Sequence, residues 1–148
     1  MDLSELDKRI AAWLEIHGHR FLRYALAIVF FWFGILKLWH GLSPAEPLVA
    51  QTVTWFSASW FVPFLGLWEM AIGACLAWRP LLRVGLGLMA LQMAGTFLPL
   101  VTLPAITWRS FGVPTLEGQY IIKNLVLIGA AIVIGGTVRH RHARLEEL

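Results

Sequence analysis

The sequence predicts an all-α membrane protein, a four-helix transmembrane bundle with an N-terminal amphipathic surface helix. Composition is the first reason: 58% of the 148 residues are apolar and only 14% are charged, against about 25% charged residues in soluble domains. The second reason is that the apolar residues form four runs, each near the ~20 residues that a helix needs to cross a bilayer. These runs are 21–41, 61–78, 81–103 and 116–138, and none shows the alternation typical of barrel strands.

Two other segments complete this single domain of residues 1–148. Residues 3–17 place Leu6, Ile10 and Trp13 at helical spacing, which predicts a helix on the membrane surface or a solvated helix packed on the bundle. The connection 43–60 combines prolines with large aromatic residues. Its tryptophans are therefore interfacial anchors or part of a lid over the bundle.

The basic residues predict the orientation. Nine of the 12 Lys and Arg residues lie before or at the start of the first run, at the junction of the second and third runs, or after the fourth. Loops on the cytoplasmic side of a membrane are enriched in these residues, so both termini are expected to be cytoplasmic. The net charge of +3 is thereby explained as a topology signal. We expect a lipid bilayer as partner and no nucleic acid.

Apart from charges within two residues of the start of a run, three charged residues fall inside the runs, namely Lys37, Glu69 and Lys123. A charge in the hydrocarbon costs about 2.5–3.5 kcal/mol on insertion scales, so such residues usually face the bundle interior and find a partner. Counted from the ends of the runs, all three lie roughly 6–12 Å below the outer boundary. Glu69 is expected to bridge one or both lysines. The layer keeps one positive charge, which favours an anionic or carbonyl-bearing ligand.

Uncharged polar residues lie at similar depths and extend this candidate site. Those of the third run share one stripe, and those of the fourth form a polar face one turn long. The predicted ligand-binding set is Lys37, Glu69, Gln92, Thr96, Tyr120, Lys123 and Asn124. In the alternative interpretation, the charges only fix helix packing, and the lysine tips extend toward the membrane surface. No catalytic residue is assigned.

Several chemistries are excluded by residues that the sequence lacks. Its single cysteine, Cys75, cannot form an internal disulfide or a cysteine-based metal site. No pair of histidines lies within the runs to bind a haem, and no nucleotide-binding loop or zinc-protease motif occurs. We therefore expect no metal. A quinone carbonyl, a small oxyanion or a carboxylate would each fit the layer, and quinone is the cofactor candidate among them.

The order of the motifs resembles the DoxX-like superfamily of four-helix membrane proteins. Gly34 and Lys37 lie in the first span, Glu69 and Gly73 in the second, and Lys123 in the fourth. The stretches AIVFFWFGILKLW, GLWEMAIG, TFLPLVTLPAITW and IIKNLVLIGAAIVI look more closely like the RclC/YkgB family of bacterial inner-membrane proteins. This resemblance implies an inner-membrane location and a link to quinone-dependent sulfur oxidation or oxidative stress. The connection after the first span is shorter than in that family.

Three functions stay open at this point. The first is a redox-linked protein that binds a quinone-like or anionic molecule in the periplasmic half of the bundle. It has no electron carrier of its own, so as an oxidoreductase subunit it would need a membrane or periplasmic redox partner. The second is a scaffold or assembly subunit. The third is a small transporter of an anion or weak acid, acting as a homo-oligomer. The apolar inner halves of the first and fourth runs argue against an open pore.

Overall fold

The structure, a computed structural model, describes the backbone of residues 2–146 and the side chains of residues 2–138. Within this range the protein is almost entirely helical, which confirms the all-α prediction. Four helical segments there are long and apolar enough to cross a membrane: Leu3–Leu36, Ala58–Ala77, Arg79–Thr102 and Leu116–Val138. They contain most of the predicted runs, so length and composition indicate a membrane protein.

The regular elements follow the chain in a simple order. They are α1 (Leu3–Leu36), α2 (Glu46–Thr52), α3 (Ala58–Ala77), a 3₁₀ turn (Arg79–Leu81), α4 (Leu82–Thr96), α5 (Pro99–Thr102), α6 (Pro104–Thr107), β1 (Trp108–Ser110), β2 (Val113–Pro114), α7 (Leu116–Ile122) and α8 (Asn124–Glu146). The two strands form a short antiparallel hairpin, the one β element among the described residues. Its turn contains Gly112, whose positive φ of 75° suits glycine.

Helix α1 differs from the sequence prediction at both ends. It runs without a break through residues 3–17, so the structure does not separate a surface helix from the first span. No proline lies between these segments, and the isolated Gly18 is tolerated within a helix. At the other end α1 stops at Leu36, five residues short of the predicted boundary at 41. At 1.5 Å per residue α1 is about 51 Å long, which exceeds the ~30 Å hydrocarbon layer.

The third and fourth spans are interrupted rather than continuous. Pro99 separates α4 from α5 because a proline has no backbone N–H and clashes with the preceding turn. The fourth span is interrupted at Lys123, between α7 and α8, without a proline. There the N–H of Lys123 donates to the Gln119 carbonyl at 3.0 Å, whereas its own carbonyl accepts from Val126, only three residues ahead, at 3.0 Å. The helix therefore tightens locally at Lys123.

Helices α1 and α3 approach closely through glycines. A Cβ built on Gly34 would lie 2.6 Å from the Gly66 carbonyl oxygen, and one built on Gly73 would lie 2.7 Å from the Ala27 carbonyl oxygen. Only glycine leaves room for such a contact, as the small residues of these spans predict. The prediction does not extend to Gly41, which lies in a turn beyond α1 with a φ of 82° and nothing near its missing Cβ.

The apolar core lies mainly toward the end of the bundle where α3 ends and α4 begins. Helix α8 packs on α1 and α4, whereas α7 packs on α6, β2 and α8. The buried residues of this core come from four of the helices: Leu26, Ala27, Phe30, Ile72, Leu76, Leu82, Met89, Met93, Ala130 and Ile134. This end of the bundle is therefore packed with apolar side chains, and a cavity lined by described residues lies toward the other end.

One basic residue that the sequence analysis used for topology is also a structural group. Arg23 is 7% exposed. Its Nη1 donates to the carbonyl oxygens of Leu76 at 3.2 Å and Ala77 at 3.1 Å. These carbonyls belong to the last turn of α3, where backbone acceptors lack partners within the helix. Arg23 thus ties α1 to the end of α3 opposite the Lys37 layer.

Candidate functional site

Three polar side chains of the predicted site, those of Lys37, Glu69 and Gln92, form one hydrogen-bonded network. Lys37 Nζ donates to Glu69 Oε2 at 2.6 Å, and Gln92 Nε2 donates to Glu69 Oε1 at 2.6 Å. The side chains of Lys37 and Glu69 are 6% and 9% exposed. Both carboxylate oxygens are therefore bonded, and the network joins α1, α3 and α4.

The local structure explains why these residues meet. The glycine contact between Gly34 and Gly66 brings the backbones of α1 and α3 together one turn away from Lys37 and Glu69. Lys37 lies at the C-cap of α1, where a positive charge is favoured by the helix dipole. Next to Glu69 in α3, Trp68 Nε1 donates to the Leu88 carbonyl at 3.4 Å, which helps to fix α4 beside Glu69.

A cavity of about 550 Å³ lies above this network. Its volume is within the ~300–1,000 Å³ typical of small-molecule sites. All seven residues of the predicted site line it, namely Lys37, Glu69, Gln92, Thr96, Tyr120, Lys123 and Asn124. The rest of its lining is mostly apolar and includes Phe30, Phe33, Phe61, Phe64 and Trp68. The sequence analysis missed these aromatic residues because nothing in their spacing separates cavity walls from lipid-facing positions.

Four of the seven residues are not part of the network. Thr96 Oγ1 donates to the Gln92 carbonyl at 3.0 Å, one turn back in its own helix. Asn124 Nδ2 donates to the Ile121 carbonyl at 3.0 Å, and so satisfies a backbone acceptor beside the interruption at Lys123. Tyr120 and Lys123 are both exposed. These two therefore supply the polar groups of the cavity that remain accessible.

The structure shows which lysine of the layer pairs with Glu69, which the sequence could not predict. Glu69 forms its ion pair with Lys37, and no acidic partner of Lys123 is found among the described side chains. The spare positive charge of the layer consequently belongs to Lys123. Lys37 is buried against Glu69. Glu69 therefore bridges one of the two lysines, and its second oxygen accepts from Gln92.

Gln92 contributes an acceptor that lacks a partner. Its Nε2 faces the Glu69 carboxylate, which can only accept hydrogen bonds when it is ionised. This fixes the orientation of the amide and turns Oε1 away from Glu69. Oε1 is buried and has no hydrogen-bond donor among the described residues. An orphan buried acceptor beside a cavity is a typical place for a ligand donor or a bound water.

The connection between the first two spans covers the end of the cavity beyond the C-terminus of α1. The lining residues there are Ala45, Leu48, Val49, Thr52 and Val53, in or next to α2. This arrangement matches the lid that the sequence analysis left open as one interpretation of residues 43–60. Glu46 holds the start of α2, because it accepts from the Gly41 N–H at 2.8 Å and pairs with His40.

Comparisons with family models, with curated proteins and with solved structures give no match for this chain. Within the described residues, no cluster of three His, Cys, Asp or Glu side chains could hold a metal ion. The interpretation of the cavity therefore depends on its own residues. They offer one accessible ammonium group, one phenol, one unpartnered amide oxygen and aromatic walls.

Proposed function

We propose that the chain is a DoxX-like protein of the bacterial inner membrane, akin to the RclC/YkgB family, and that it binds a quinone-like small molecule. The binding site is the cavity on the periplasmic side of the bundle, with both termini in the cytoplasm. The observation that carries the proposal is the meeting of all seven chemistry-bearing residues at one largely apolar cavity. Residues that served packing alone would not need to surround a space of about 550 Å³.

The accessible groups suit a ring with oxygen substituents. Lys123 can donate to a carbonyl or phenolate oxygen, and Tyr120 can donate or accept. Gln92 Oε1 could accept from a hydroxyl after a small rotation of its side chain. The aromatic walls complement a flat apolar ring. An anion would also be attracted by Lys123, but it would gain little from these walls.

The buried network has a different role in this proposal. Lys37, Glu69 and Gln92 hold three helices in register and form the polar floor of the cavity. We assign them no proton exchange with the ligand, since the Glu69 carboxylate is held by Lys37 and Gln92. Electron transfer to or from a bound quinone needs a membrane or periplasmic redox partner. In that case the chain is the quinone-binding subunit of a redox or oxidative-stress response system.

The second candidate is a scaffold or assembly subunit, and the saturation of the Glu69 carboxylate favours it. A carboxylate bonded at both oxygens is what a purely structural ion pair requires. Under this alternative Lys123 has no ligand to bind and extends toward the membrane surface. The transporter hypothesis is less well supported, because the packed core below the network leaves no polar path to the inner side.

A binding titration tests the quinone proposal. The purified protein in mild detergent is titrated with a decyl-substituted benzoquinone, and bound quinone is measured by native mass spectrometry. The Lys123→Met variant is expected to bind about tenfold more weakly, the effect of losing roughly 1.4 kcal/mol. Lys8→Met is the matched control, since Lys8 is an exposed lysine of α1 that does not line the cavity.

The outcomes separate the candidates. Binding by the unmodified chain that is weakened in Lys123→Met but not in Lys8→Met supports the quinone site. Equal affinities in all three proteins contradict the assigned role of Lys123. No binding by a well-folded protein favours the scaffold. Benzoate and thiosulfate serve as competitors, and displacement of the quinone at similar concentrations would favour an anion site instead.

A further inference from the structure

Helix α2 and its flanks cover the end of the cavity beyond the C-terminus of α1. The lining residues contributed by α2 and its flanks are buried or half-buried, and Thr52 is only 8% exposed. Helix α2 packs on α3 and α5, and Glu46 anchors its first turn through the Gly41 N–H. A solute arriving from the aqueous phase would have to displace this helix.

The side of the cavity is open. Four of its lining residues remain strongly exposed although they belong to spanning segments: Phe33 is 43% exposed, Phe64 46%, Leu91 65% and Tyr120 46%. Lys123, which also lines the cavity, is exposed as well. In a bilayer Phe33, Phe64, Leu91 and Tyr120 face lipid, whereas Lys123 faces the cavity that it lines. The interruption of the fourth span contributes to this opening, because α8 packs on α1 and α4 while α7 leans on α6 and β2.

We infer that the cavity is loaded sideways from the outer leaflet, and that its ligand is a bilayer-dissolved amphiphile whose chain stays in the lipid. This inference rests on the proposed function and narrows its ligand class. A head group of ring size fills the space next to Lys123 and the Gln92 amide. A long polyprenyl chain does not fit into about 550 Å³ together with its head, so it passes out between the exposed rim residues. A small water-soluble anion is excluded as the principal ligand.

The test uses two probes with the same benzoquinone head, one without a chain and one with a long polyprenyl chain. Their binding is measured by native mass spectrometry on protein released from lipid nanodiscs. We expect the chain-bearing probe to bind the unmodified protein at least as well as the chainless one. The double variant Phe33→Trp/Leu91→Trp narrows the rim and should weaken binding of the chain-bearing probe by about tenfold, with little effect on the chainless head.

The matched control is Val126→Trp/Ile132→Trp. These residues are 73% and 70% exposed on α8 and do not line the cavity. Both double variants replace exposed apolar residues by tryptophan, so neither should affect folding. The control should bind both probes as the unmodified protein does.

Each result has a distinct meaning. If the chainless head binds and the chain-bearing probe is rejected, the cavity is closed to lipid and the inference is wrong, while the quinone site stands. If the rim variant weakens both probes equally, or the α8 control weakens them as much, the lateral route is also contradicted. If neither probe binds a well-folded protein, the proposed function itself has failed.

Discussion

The buried pair of Lys37 and Glu69 allows the sharpest prediction about stability. Their charged atoms are 2.6 Å apart, with side chains 6% and 9% exposed. Removing one member of such a pair leaves an uncompensated buried charge, which costs about 3–5 kcal/mol. Glu69→Gln and Lys37→Met are each expected to lower the free energy of unfolding by an amount in this range.

The double variant distinguishes an ion pair from two independent residues. With both charges removed, no unpaired charge stays behind, so Lys37→Met/Glu69→Gln should be destabilised by less than the sum of the single changes. The expected coupling is about 2–3 kcal/mol, near the upper end for residues in contact. Reversible unfolding in mixed detergent micelles, followed by circular dichroism, gives the three values.

An exposed pair on α1 supplies the control for this cycle. Lys8 and Glu5 are also in contact, at 3.0 Å, but their side chains are 71% and 57% exposed. Exposed pairs contribute little because water and salt screen them. Lys8→Met and Glu5→Gln should hardly change the unfolding curve. Additive effects at Lys37 and Glu69, or single effects as small as those of the control, would refute the account of a buried network.

Three further predictions concern the helices that position the site. Gly66→Ala should destabilise the fold by about 1–3 kcal/mol, the usual cost of overpacking, because the new Cβ would lie 2.7 Å from the Gly34 carbonyl oxygen. The control is Gly87→Ala, which places its Cβ where no other atom is near. It should be neutral or slightly stabilising in the same unfolding assay. Arg23→Gln should cost about 1.5–3 kcal/mol, as for other hydrogen bonds to a charged group, and should speed amide exchange in the last turn of α3 more than in α4. Thr115→Ala removes the N-cap of α7, where Oγ1 accepts from the Gly118 N–H at 3.1 Å. We expect the free energy of unfolding to fall by about 1 kcal/mol and amide exchange to become faster in α7 alone. Faster amide exchange throughout the bundle would contradict this local role.

Much of the site could be predicted from the sequence because charge in hydrocarbon is so strongly constrained. Lys37, Glu69 and Lys123 each had to face a protein interior or a polar cavity, and their positions along the runs placed them at one depth. The predicted end of the first span, residue 41, was wrong by five residues, but this did not change the partner expected for Lys37. Lys37 lies at a C-cap instead of four residues inside a span, yet it still reaches Glu69.

Pairing within the site could not be predicted in the same way. Sequence spacing assigns a residue to a face but does not say which of two lysines reaches Glu69. That choice depends on the glycine contact between α1 and α3, which brings Lys37 close and leaves Lys123 with the fourth span. The bond from Gln92 to Glu69 has the same origin, since it requires α4 to pack beside α3.

The sequence analysis also did not predict where the helices are interrupted. The third span is interrupted at Pro99, a residue whose effect is known, but the interruption at Lys123 has no proline or glycine to signal it. Conversely, a break between residues 17 and 21 was expected from the change in composition, and α1 continues through it. A change from amphipathic to apolar sequence alters the surroundings of a helix without altering its backbone hydrogen bonds.

The most direct test of the central claim, that this cavity holds a ligand, is to analyse what the protein carries when it is purified. Protein isolated in mild detergent is examined by optical absorbance, and its extracted small molecules are identified by mass spectrometry, for the unmodified chain and for Lys123→Met. The account predicts a stoichiometric lipid-soluble quinone with the unmodified chain and a clear loss of it in the variant. A well-folded protein that carries no quinone, and takes none up when it is added in excess, would contradict the account.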